Sequence, residues 1–211
     1  MMHSSIKFPA TDIYVVDDCR DDRLQIIDAV ALLGCAGRPF VDAEDVFAEL
    51  GYLRAGIFVI GLGVGANASL DLLRELVQRD CYWPVVITSR DGDIPKAVKA
   101  IQMGAIDFVV KPVELKHLAS AIKEAVKLLP ERSEKSHKIQ IFKSLFSELS
   151  PRQRQVFCGV ARGQSNREIA LQYDLSVRTV ESYRLAMKAR LSVTSTAGIF
   201  DIRSAISDLE L

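Results

Sequence analysis

The sequence predicts a two-domain chain: an α/β domain with a five-stranded, parallel, doubly wound sheet, followed by a small all-α domain. Three observations lead to this prediction. Residues 12–110 alternate short apolar runs with helical patterns five times, which is typical of a parallel sheet covered by helices on both faces. Residues 131–138 are polar or charged throughout, as in a connecting segment. Residues 149–191 then contain three short helical patterns with clear start signals.

The α/β domain, assigned to residues 1–130, follows from its apolar runs in order. The predicted strands are residues 13–16, 38–41, 56–60, 84–88 and 108–110. The predicted helices are residues 24–34, 42–50, 70–79, 93–104 and 114–129. Asp42 is placed to cap the second helix, and Asp93 stands just before the fourth. Five such strands favour the order 2-1-3-4-5, which puts a site at the switch point between the first and third strands.

Polar residues at the ends of three strands are the candidate functional residues of this domain. Asp17 and Asp18 follow the first strand, Thr88 ends the fourth and Lys111 follows the fifth. With the segments VVDD, PVVITS and GAIDFVVKP, they resemble the flavodoxin-like receiver domain of two-component response regulators, in its FixJ branch. The resemblance implies that the paired acids hold magnesium, that an aspartate ending the third strand accepts a phosphoryl group, and that the hydroxyl and the lysine contact it. Phe108 stands with Thr88 and Lys111 at positions that move when such a domain switches.

The third strand departs from this pattern at its end. With LDLLREL aligned on the family's third helix without a gap, the phosphoacceptor position falls on Gly61, which offers no nucleophile. We therefore interpret the domain as a pseudo-receiver without a cofactor. Asp17 and Asp18 are expected to persist structurally, through hydrogen bonds to Lys111 or to loop amides. Magnesium needs only one or two carboxylates with water, so weak binding at Asp17 and Asp18 is the most we expect.

The glycine-rich stretch 61–65 offers an alternative function. A loop after a strand and before a helix could cradle a phosphate or a nucleotide. Its spacing is G-x-G-x-G, however, whereas the dinucleotide fingerprint is G-x-G-x-x-G. Gly63 and Gly65 also stand where the family has a Met-Pro pair, so a flexible loop left after loss of the acceptor is the simpler interpretation. No general acid, base and nucleophile converge here, and we do not expect an enzyme.

The C-terminal domain, residues 149–211, begins with three helices that each start at a serine. Ser150, Ser165 and Ser176 are the predicted caps. Gln153 and Glu168 lie three residues after the first two caps, which completes two capping boxes. The third helix has a core face at helical spacing, formed by Val180, Tyr183, Met187 and Leu191. A second stripe suits the major groove of DNA and consists of Arg178, Glu181, Ser182, Leu185 and Lys188, with Arg184 at its edge.

The segments S-N-R-E-I-A and L-S-V-R-T-V-E-S-Y-R resemble the LuxR-type helix-turn-helix of NarL/FixJ-like transcription factors. The resemblance implies that Ser176, Thr179 and Val180 open a recognition helix. It also implies groove-facing positions at Glu181, Ser182, Arg184, Leu185 and Lys188. Gln153 and Tyr183 depart from the family, which usually has glutamate and histidine there. The arginines expected to contact phosphates are Arg152, Arg154, Arg162, Arg167 and Arg190. A plain three-helix protein-interaction module is the alternative.

Residues 131–148 are expected to form a partly helical linker. After the polar stretch 131–138, apolar residues recur at helical spacing and would dock on the C-terminal domain or pair between protomers: Ile141, Phe142, Leu145, Phe146 and Leu149. A last helix is predicted over residues 199–209. The resemblance implies that this helix pairs between protomers on DNA, and packing on the preceding helices is the alternative.

Composition narrows the classes of function. Residues 1–130 hold 14 basic and 18 acidic side chains, whereas residues 149–211 hold nine and six, an asymmetry that fits one nucleic-acid-binding domain. There is no long apolar run and no signal peptide, so we expect a cytoplasmic protein without membrane contacts. Four cysteines lack paired spacing and are expected to be reduced: Cys19, Cys35, Cys81 and Cys158.

The sequence thus predicts a DNA-binding transcriptional regulator that acts on double-stranded DNA as a homodimer. Its receiver would not be phosphorylated at Gly61, so constitutive dimerisation, a regulatory protein partner or a ligand would set its activity. Two alternatives remain open. The chain could be an adaptor in which the receiver docks a partner, or a ligand-sensing regulator that uses the loop over residues 61–65.

Overall fold

A computed structural model describes residues 8, 10–62, 67–90 and 94–191 of the chain. The chain divides into two compact units, residues 1–136 and residues 137–211. Three features noted in the sequence lie outside the described residues: the glycines at 63 and 65, Asp93 before the fourth helix, and the last helix over 199–209. None of the described helices is long and apolar enough to cross a membrane.

The first unit is built on five parallel strands in the order β2-β1-β3-β4-β5, which confirms the predicted topology. The strands are β1 (Asp12–Val16), β2 (Ala36–Phe40), β3 (Gly56–Leu62), β4 (Val85–Ser89) and β5 (Asp107–Val110). In the register of the sheet, Gly61 of β3 lies beside Thr88 of β4. The neighbouring pair Val16 and Ile60 joins the ends of β1 and β3, so three strand ends meet at the predicted switch point.

Helices connect these strands in sequence order. They are α1 (Arg20–Leu32), α2 (Ala43–Glu49), α3 (Asn67–Gln78), α4 (Ile94–Gln102) and α5 (Leu115–Ser147), with a short 3-10 turn over Leu50–Tyr52. The predicted cap of α2 is confirmed, since the Asp42 side chain accepts from the Asp45 amide at 3.0 Å. The chain therefore alternates strand and helix as expected for a doubly wound sheet.

The core of the first unit lies on both faces of the sheet. Ile13, Ile57 and Val86 belong to one buried cluster that includes side chains of α1 and α5. Tyr14 and Phe58, their strand neighbours, belong to the opposite cluster, which includes side chains of α2 and α3. Successive strand residues point to opposite faces, so both faces of β1 and β3 are apolar. Every residue of β3 is buried, including Gly61 and Leu62 at its carboxyl end.

Helix α5 is much longer than the sequence analysis predicted. A helical end at residue 129 and a polar linker after it were expected, but the helix continues through Pro130 to Ser147, so the break expected at Pro130 is wrong. Proline removes a single amide donor, and the Glu, Lys and Arg residues that follow are good helix formers. Composition alone was therefore a poor guide to this segment.

Three side chains tie the beginning of this extension of α5 to the rest of the first unit. The Ser136 hydroxyl is buried, accepts from the Tyr82 amide at 2.9 Å and donates to the Arg132 carbonyl at 3.1 Å. The Arg132 guanidinium donates to the Gly104 carbonyl at 3.1 Å. The Lys135 ammonium lies 3.9 Å from the centre of the Tyr82 ring. These contacts form only when the rest of the first unit is folded. The sequence of the segment, taken alone, therefore predicts a solvated linker.

The second unit contains α6 (Pro151–Ala161), α7 (Asn166–Tyr173) and α8 (Val177–Arg190). Both predicted capping boxes are present, at Ser150 with Gln153 and at Ser165 with Glu168. The Ser176 side chain caps α8 by accepting from the Thr179 amide at 3.0 Å. The three helix starts predicted from the sequence are therefore confirmed.

The core of the second unit is compact. Phe157, Ile169, Val180 and Met187 are fully buried, and the predicted core face of α8 is confirmed except at Tyr183, which is only half-buried. Phe157 also lies 5.6 Å and 5.2 Å, ring centre to ring centre, from two phenylalanines at the end of α5, Phe142 and Phe146. The docking predicted for the apolar residues at the end of α5 is thus seen at Phe142 and Phe146, whereas Ile141 is exposed.

Candidate functional sites

The carboxyl ends of β1, β3, β4 and the segment after β5 form what we call the strand-end pocket: Asp17, Gly61, Thr88 and Lys111. The Lys111 ammonium donates to Asp17 Oδ2 at 2.5 Å and to Asp22 Oδ2 at 2.8 Å. The side chains of Lys111 and Asp17 are only 4% and 1% exposed. The expected hydrogen bond between these two residues is therefore present, as a buried ion pair.

The Asp17 carboxylate is held from a second side as well. Its Oδ1 accepts from the Cys19 amide at 3.0 Å. The Asp17 amide donates to the Phe40 carbonyl at 3.2 Å, and the Asp17 carbonyl accepts from the Arg23 guanidinium at 2.5 Å. Backbone and side chain are both fixed, so the carboxylate has one well-defined position at the end of β1.

Gly61 faces this carboxylate directly. A Cβ atom at position 61 would lie 2.5 Å from Asp17 Cγ and nearer still to Asp17 Oδ2. Non-bonded carbon atoms normally stay about 3.5–4.0 Å apart. The Asp17 carboxylate therefore fills the space in which any side chain at position 61 would begin.

Two further charged residues belong to this site and were not singled out in the sequence. Asp22 on α1 accepts from Lys111, and it also forms a two-pronged ion pair with Arg90, whose Nε and terminal nitrogen lie 3.0 Å and 2.9 Å from its two oxygens. The hydrogen bond from Arg90, with a smaller contribution from Lys111, lowers the pKa of Asp22 from 3.8 to about 2. Asp17, Lys111, Asp22 and Arg90 together form the charged cluster.

The remaining residues of the predicted receiver site differ in their surroundings. The Thr88 side chain is fully buried, and its hydroxyl oxygen has no hydrogen-bond partner among the described residues. Phe108 is half-buried and packs against the core on the side of α2 and α3. Asp18 is exposed. The structure thus separates the two neighbouring acids, with Asp17 inside the pocket and Asp18 outside it.

A magnesium ion does not fit the arrangement of these side chains. Magnesium is bound by carboxylate and water oxygens, but the inner carboxylate, Asp17, already carries an ammonium group on one oxygen and an amide on the other. Gly61 supplies no third carboxylate. Within the described parts of the chain, no three acidic, histidine or cysteine side chains are grouped to hold a metal ion.

The candidate nucleic-acid interface is the outer face of α8. Exposed residues on it include Arg178, Glu181, Ser182 and Leu185, and the Leu185 side chain is 74% exposed. Thr179 and Lys188 are half-buried. The Thr179 hydroxyl lies 2.7 Å from the Ser176 hydroxyl, which links it to the cap of the helix. The face offers donors, an acceptor and an apolar group, the kinds of contact that base edges in the major groove present.

Arg184 has a different environment from the rest of this face. Its guanidinium donates to the Asn166 side-chain oxygen at 2.7 Å, and the side chain is half-buried. Asn166 is the first residue of α7, so the contact joins the two helices of the helix-turn-helix. The sequence pattern predicts a groove-facing residue, and in the structure Arg184 connects α8 to α7.

Several of the arginines predicted to contact phosphate have internal partners. Arg152 donates to the Tyr173 carbonyl at 3.2 Å, and Arg154 donates to the Leu149 carbonyl at 3.1 Å. Arg190 lies 3.5 Å from the Glu148 carboxylate in an exposed ion pair, which is weak in water. Arg167, near the start of α7, is exposed. Arg167 therefore has the surroundings expected of a phosphate-contacting side chain more clearly than Arg152 or Arg154.

Comparison with known proteins agrees with both halves of this description. Residues 13–123 match the response regulator receiver domain, and residues 147–202 match the bacterial regulatory proteins of the luxR family. The response regulator protein TmoT of Ectopseudomonas mendocina is 32% identical, over 93% of this chain and 89% of its own length. The transcriptional regulatory protein FixJ of Bradyrhizobium diazoefficiens is also 32% identical, over 87% of this chain and 89% of its own length.

Solved structures give the same result for the fold. The crystal structure of full-length FixJ from B. japonicum superimposes with a TM-score of 0.54 at 29% identity, covering 95% of this chain and 98% of that one. The structure of the response regulator StyR gives a TM-score of 0.52 at 27% identity, covering 93% and 99%. The chain therefore belongs to the NarL/FixJ-type response regulators, DNA-binding transcriptional regulators that join a receiver domain to a LuxR-type helix-turn-helix.

Proposed function

We propose that this response regulator controls transcription without phosphorylation of its receiver at the usual position. The observation that carries the proposal is Gly61, which lies near the carboxyl end of β3, beside Thr88 and facing Asp17. An acceptor in this place has to present a carboxylate to the lysine and the hydroxyl. Glycine presents none, and the lysine is already paired with Asp17.

The recognition surface in this proposal is the exposed face of α8. Glu181, Ser182, Leu185 and Lys188 read base edges, and Arg167 holds a phosphate. Arg178, close to the start of α8, and Arg190, at its end, supply further positive charge at the two ends of the helix. Arg184 contributes chiefly by keeping α8 in place against Asn166.

Self-association in this proposal uses an apolar stripe on α4, extended by β5. Ile94, Val98 and Ile101 recur at helical spacing and are 72%, 49% and 47% exposed, and Val110 of β5 is 51% exposed. An apolar stripe of this kind, on a helix that otherwise carries Lys96 and Lys99, favours a protein partner. A second copy of the chain is the partner we propose, and a separate regulatory protein on the same surface is the alternative.

Genome-wide mapping of bound DNA tests the function directly. The wild type should enrich a defined set of sites, and Glu181→Ala should alter base preference by about 1–3 kcal/mol per lost contact. Arg167→Ala should weaken all sequences alike and flatten the salt dependence, whereas Lys116→Ala, an exposed lysine of the receiver, should change neither. Absence of enriched sites would favour an adaptor.

A separate experiment tests phosphoryl transfer by measuring the mass of the intact protein. The protein incubated with acetyl phosphate and magnesium should gain no phosphoryl group, and its DNA affinity should stay the same. A stable phosphoryl adduct on Asp17, Asp18 or another acid, with a change in DNA affinity, would show that the receiver is still a phosphorylation switch.

A further inference from the structure

We propose that the Asp17 carboxylate is the permanent anion of the strand-end pocket, and that Gly61 is required because it leaves room for that carboxylate. Asp17 would then take both the space and the lysine partner that a carboxylate at position 61 would have taken. This inference goes beyond the proposed function, because it concerns what holds the receiver together rather than what the protein binds.

The space at the end of β3 is the first support. A Cβ at position 61 would lie 2.5 Å from Asp17 Cγ, with Asp17 Oδ1 at 3.1 Å. The obstacle is a carboxylate that the Cys19 amide and the Lys111 ammonium fix in place, not the free end of a flexible side chain. To remove the overlap with a Cβ at position 61, the buried and hydrogen-bonded Asp17 carboxylate would have to move. Such movement costs far more than rotation of a surface side chain.

The balance of charge is the second support. Lys111 is nearly inaccessible to water and has two carboxylate partners, Asp17 and Asp22. A buried ammonium without a partner is strongly unfavourable, so a receiver that lacks an acceptor at position 61 needs another anion for this lysine. Arg90 balances the second carboxylate. The charged cluster thus has two positive and two negative members and requires no additional cation.

The surroundings of the Thr88 hydroxyl show which contacts of a phosphoryl group the Asp17 carboxylate does not reproduce. This hydroxyl is buried and has no hydrogen-bond partner among the described residues. Asp17 therefore supplies the contact to Lys111 but not the contact to the hydroxyl that the phosphoryl group of a receiver would make. The pocket is charge-balanced without being a copy of a phosphorylated pocket.

A double-mutant cycle tests the steric part of the inference. Trp83 is the only tryptophan of the chain and stacks on Tyr14 and Phe58 in the receiver core, so its fluorescence reports thermal unfolding of the receiver. Gly61→Ala should lower the unfolding midpoint by about 5 °C or more. Gly51→Ala is the matched control, since a Cβ there meets nothing within 4 Å.

The same Gly61→Ala change should become mild in an Asp17→Ala background, where the carboxylate is absent. Alanine normally stabilises a strand interior relative to glycine, so a large cost at position 61 is specific to the obstacle. If Gly61→Ala is as mild as Gly51→Ala with Asp17 present, or equally costly with and without Asp17, the inference is overturned.

Magnesium titration of the intact protein gives a test that needs no Asp17 variant. Millimolar magnesium chloride should not shift the wild-type midpoint relative to sodium chloride of equal ionic strength. Gly61→Asp, which brings a second carboxylate against the first, should be destabilised in sodium chloride and partly restored by magnesium. Stabilisation of the wild type by magnesium, or a Gly61→Asp variant as stable as wild type without it, would overturn the inference. Neither result depends on DNA binding, so failure here is distinguishable from failure of the proposed function.

Discussion

Removal of the Lys111 ammonium is the sharpest perturbation of the receiver. Lys111→Met keeps the apolar stem of the side chain but leaves the Asp17 carboxylate, 1% exposed, without its positive partner. Asp22 is less affected because it retains Arg90. Removing one member of a buried ion pair costs roughly 3–5 kcal/mol, because the other charge stays in a poorly solvated place. We expect a loss near the lower end, about 3 kcal/mol, since the Cys19 amide still donates to Asp17.

Urea unfolding followed by Trp83 fluorescence measures this loss in the receiver. With a denaturant dependence of about 1–3 kcal/mol per molar, the midpoint should fall by roughly 1–3 M. Lys116→Met is the control, because the Lys116 and Glu114 side chains are 72% and 59% exposed. Such exposed pairs contribute about 0–1 kcal/mol, so this variant should unfold within experimental error of the wild type.

A second variant separates lost charge balance from lost packing. Asp17→Asn combined with Lys111→Met removes both charges and keeps similar volumes. If the cost of Lys111→Met comes from an unpaired carboxylate, the double variant should be clearly more stable than the single one. A double variant as unstable as the single variant, or a Lys111→Met variant indistinguishable from Lys116→Met, would refute the assignment of a buried ion pair at this position.

Three further results are expected. Asp22→Asn should destabilise the receiver by about 1–2 kcal/mol near neutral pH. Because the pKa of Asp22 falls from 3.8 to about 2 on folding, the stabilisation by this carboxylate is present above pH 4. The difference between variant and wild type in urea unfolding should therefore shrink as the pH falls from 4 to 2. Arg184→Ala should weaken DNA binding on all sequences alike and lower the stability of the helical unit by about 1 kcal/mol, measured by titration and by circular dichroism. Val98→Glu should shift sedimentation from dimer to monomer, and acetyl phosphate should not reverse it.

Two of these predictions have a control variant, and the third has an outcome that would contradict it. Asn166→Ala removes the other half of the interhelical hydrogen bond and should reproduce the effect of Arg184→Ala, whereas a change of base preference in Arg184→Ala alone would mean that the arginine reads DNA. Asp71→Asn removes a carboxylate from an exposed pair with Arg74, and it should cost no more than about 1 kcal/mol. Dimers that survive Val98→Glu would place self-association elsewhere on the chain.

The fold was predictable because its signals are local. Five apolar runs separated by helical patterns determine a parallel doubly wound sheet, and serines three residues before Gln153, Glu168 and Thr179 mark helix starts through hydrogen bonds within one turn. The length of α5 was not predictable in this way. Its extension depends on the Ser136 hydroxyl reaching the Tyr82 amide, 54 residues away in sequence, a contact that leaves no periodic pattern.

The residues at the strand ends were predictable from the sequence, but the geometry of the site and the charged residues beside it were not. Strand ends and the family resemblance identified Asp17, Gly61 and Lys111. Asp22 and Arg90 were missed because each stands in a short run of charged residues, and only their 2.9 Å contact distinguishes them from solvated neighbours. Helical spacing predicted Arg184 at the edge of the groove-facing stripe, but its hydrogen bond to Asn166 on another helix left no pattern in the sequence.

The pairing of Lys111 within the chain bears on how the receiver can change its conformation. A receiver changes state only when something interacts differently with its two conformations. Phosphorylation normally supplies that difference at the strand ends, yet here Lys111 is bound to two carboxylates of the chain itself. A shift of the receiver from 1% to 99% of one conformation requires about 5.5 kcal/mol of differential binding. A protein that buries the exposed side chains of Ile94, Val98 and Ile101 removes enough apolar surface from water to supply several kcal/mol. We therefore propose that a signal acts on the receiver through the apolar stripe of α4 rather than through the strand-end pocket.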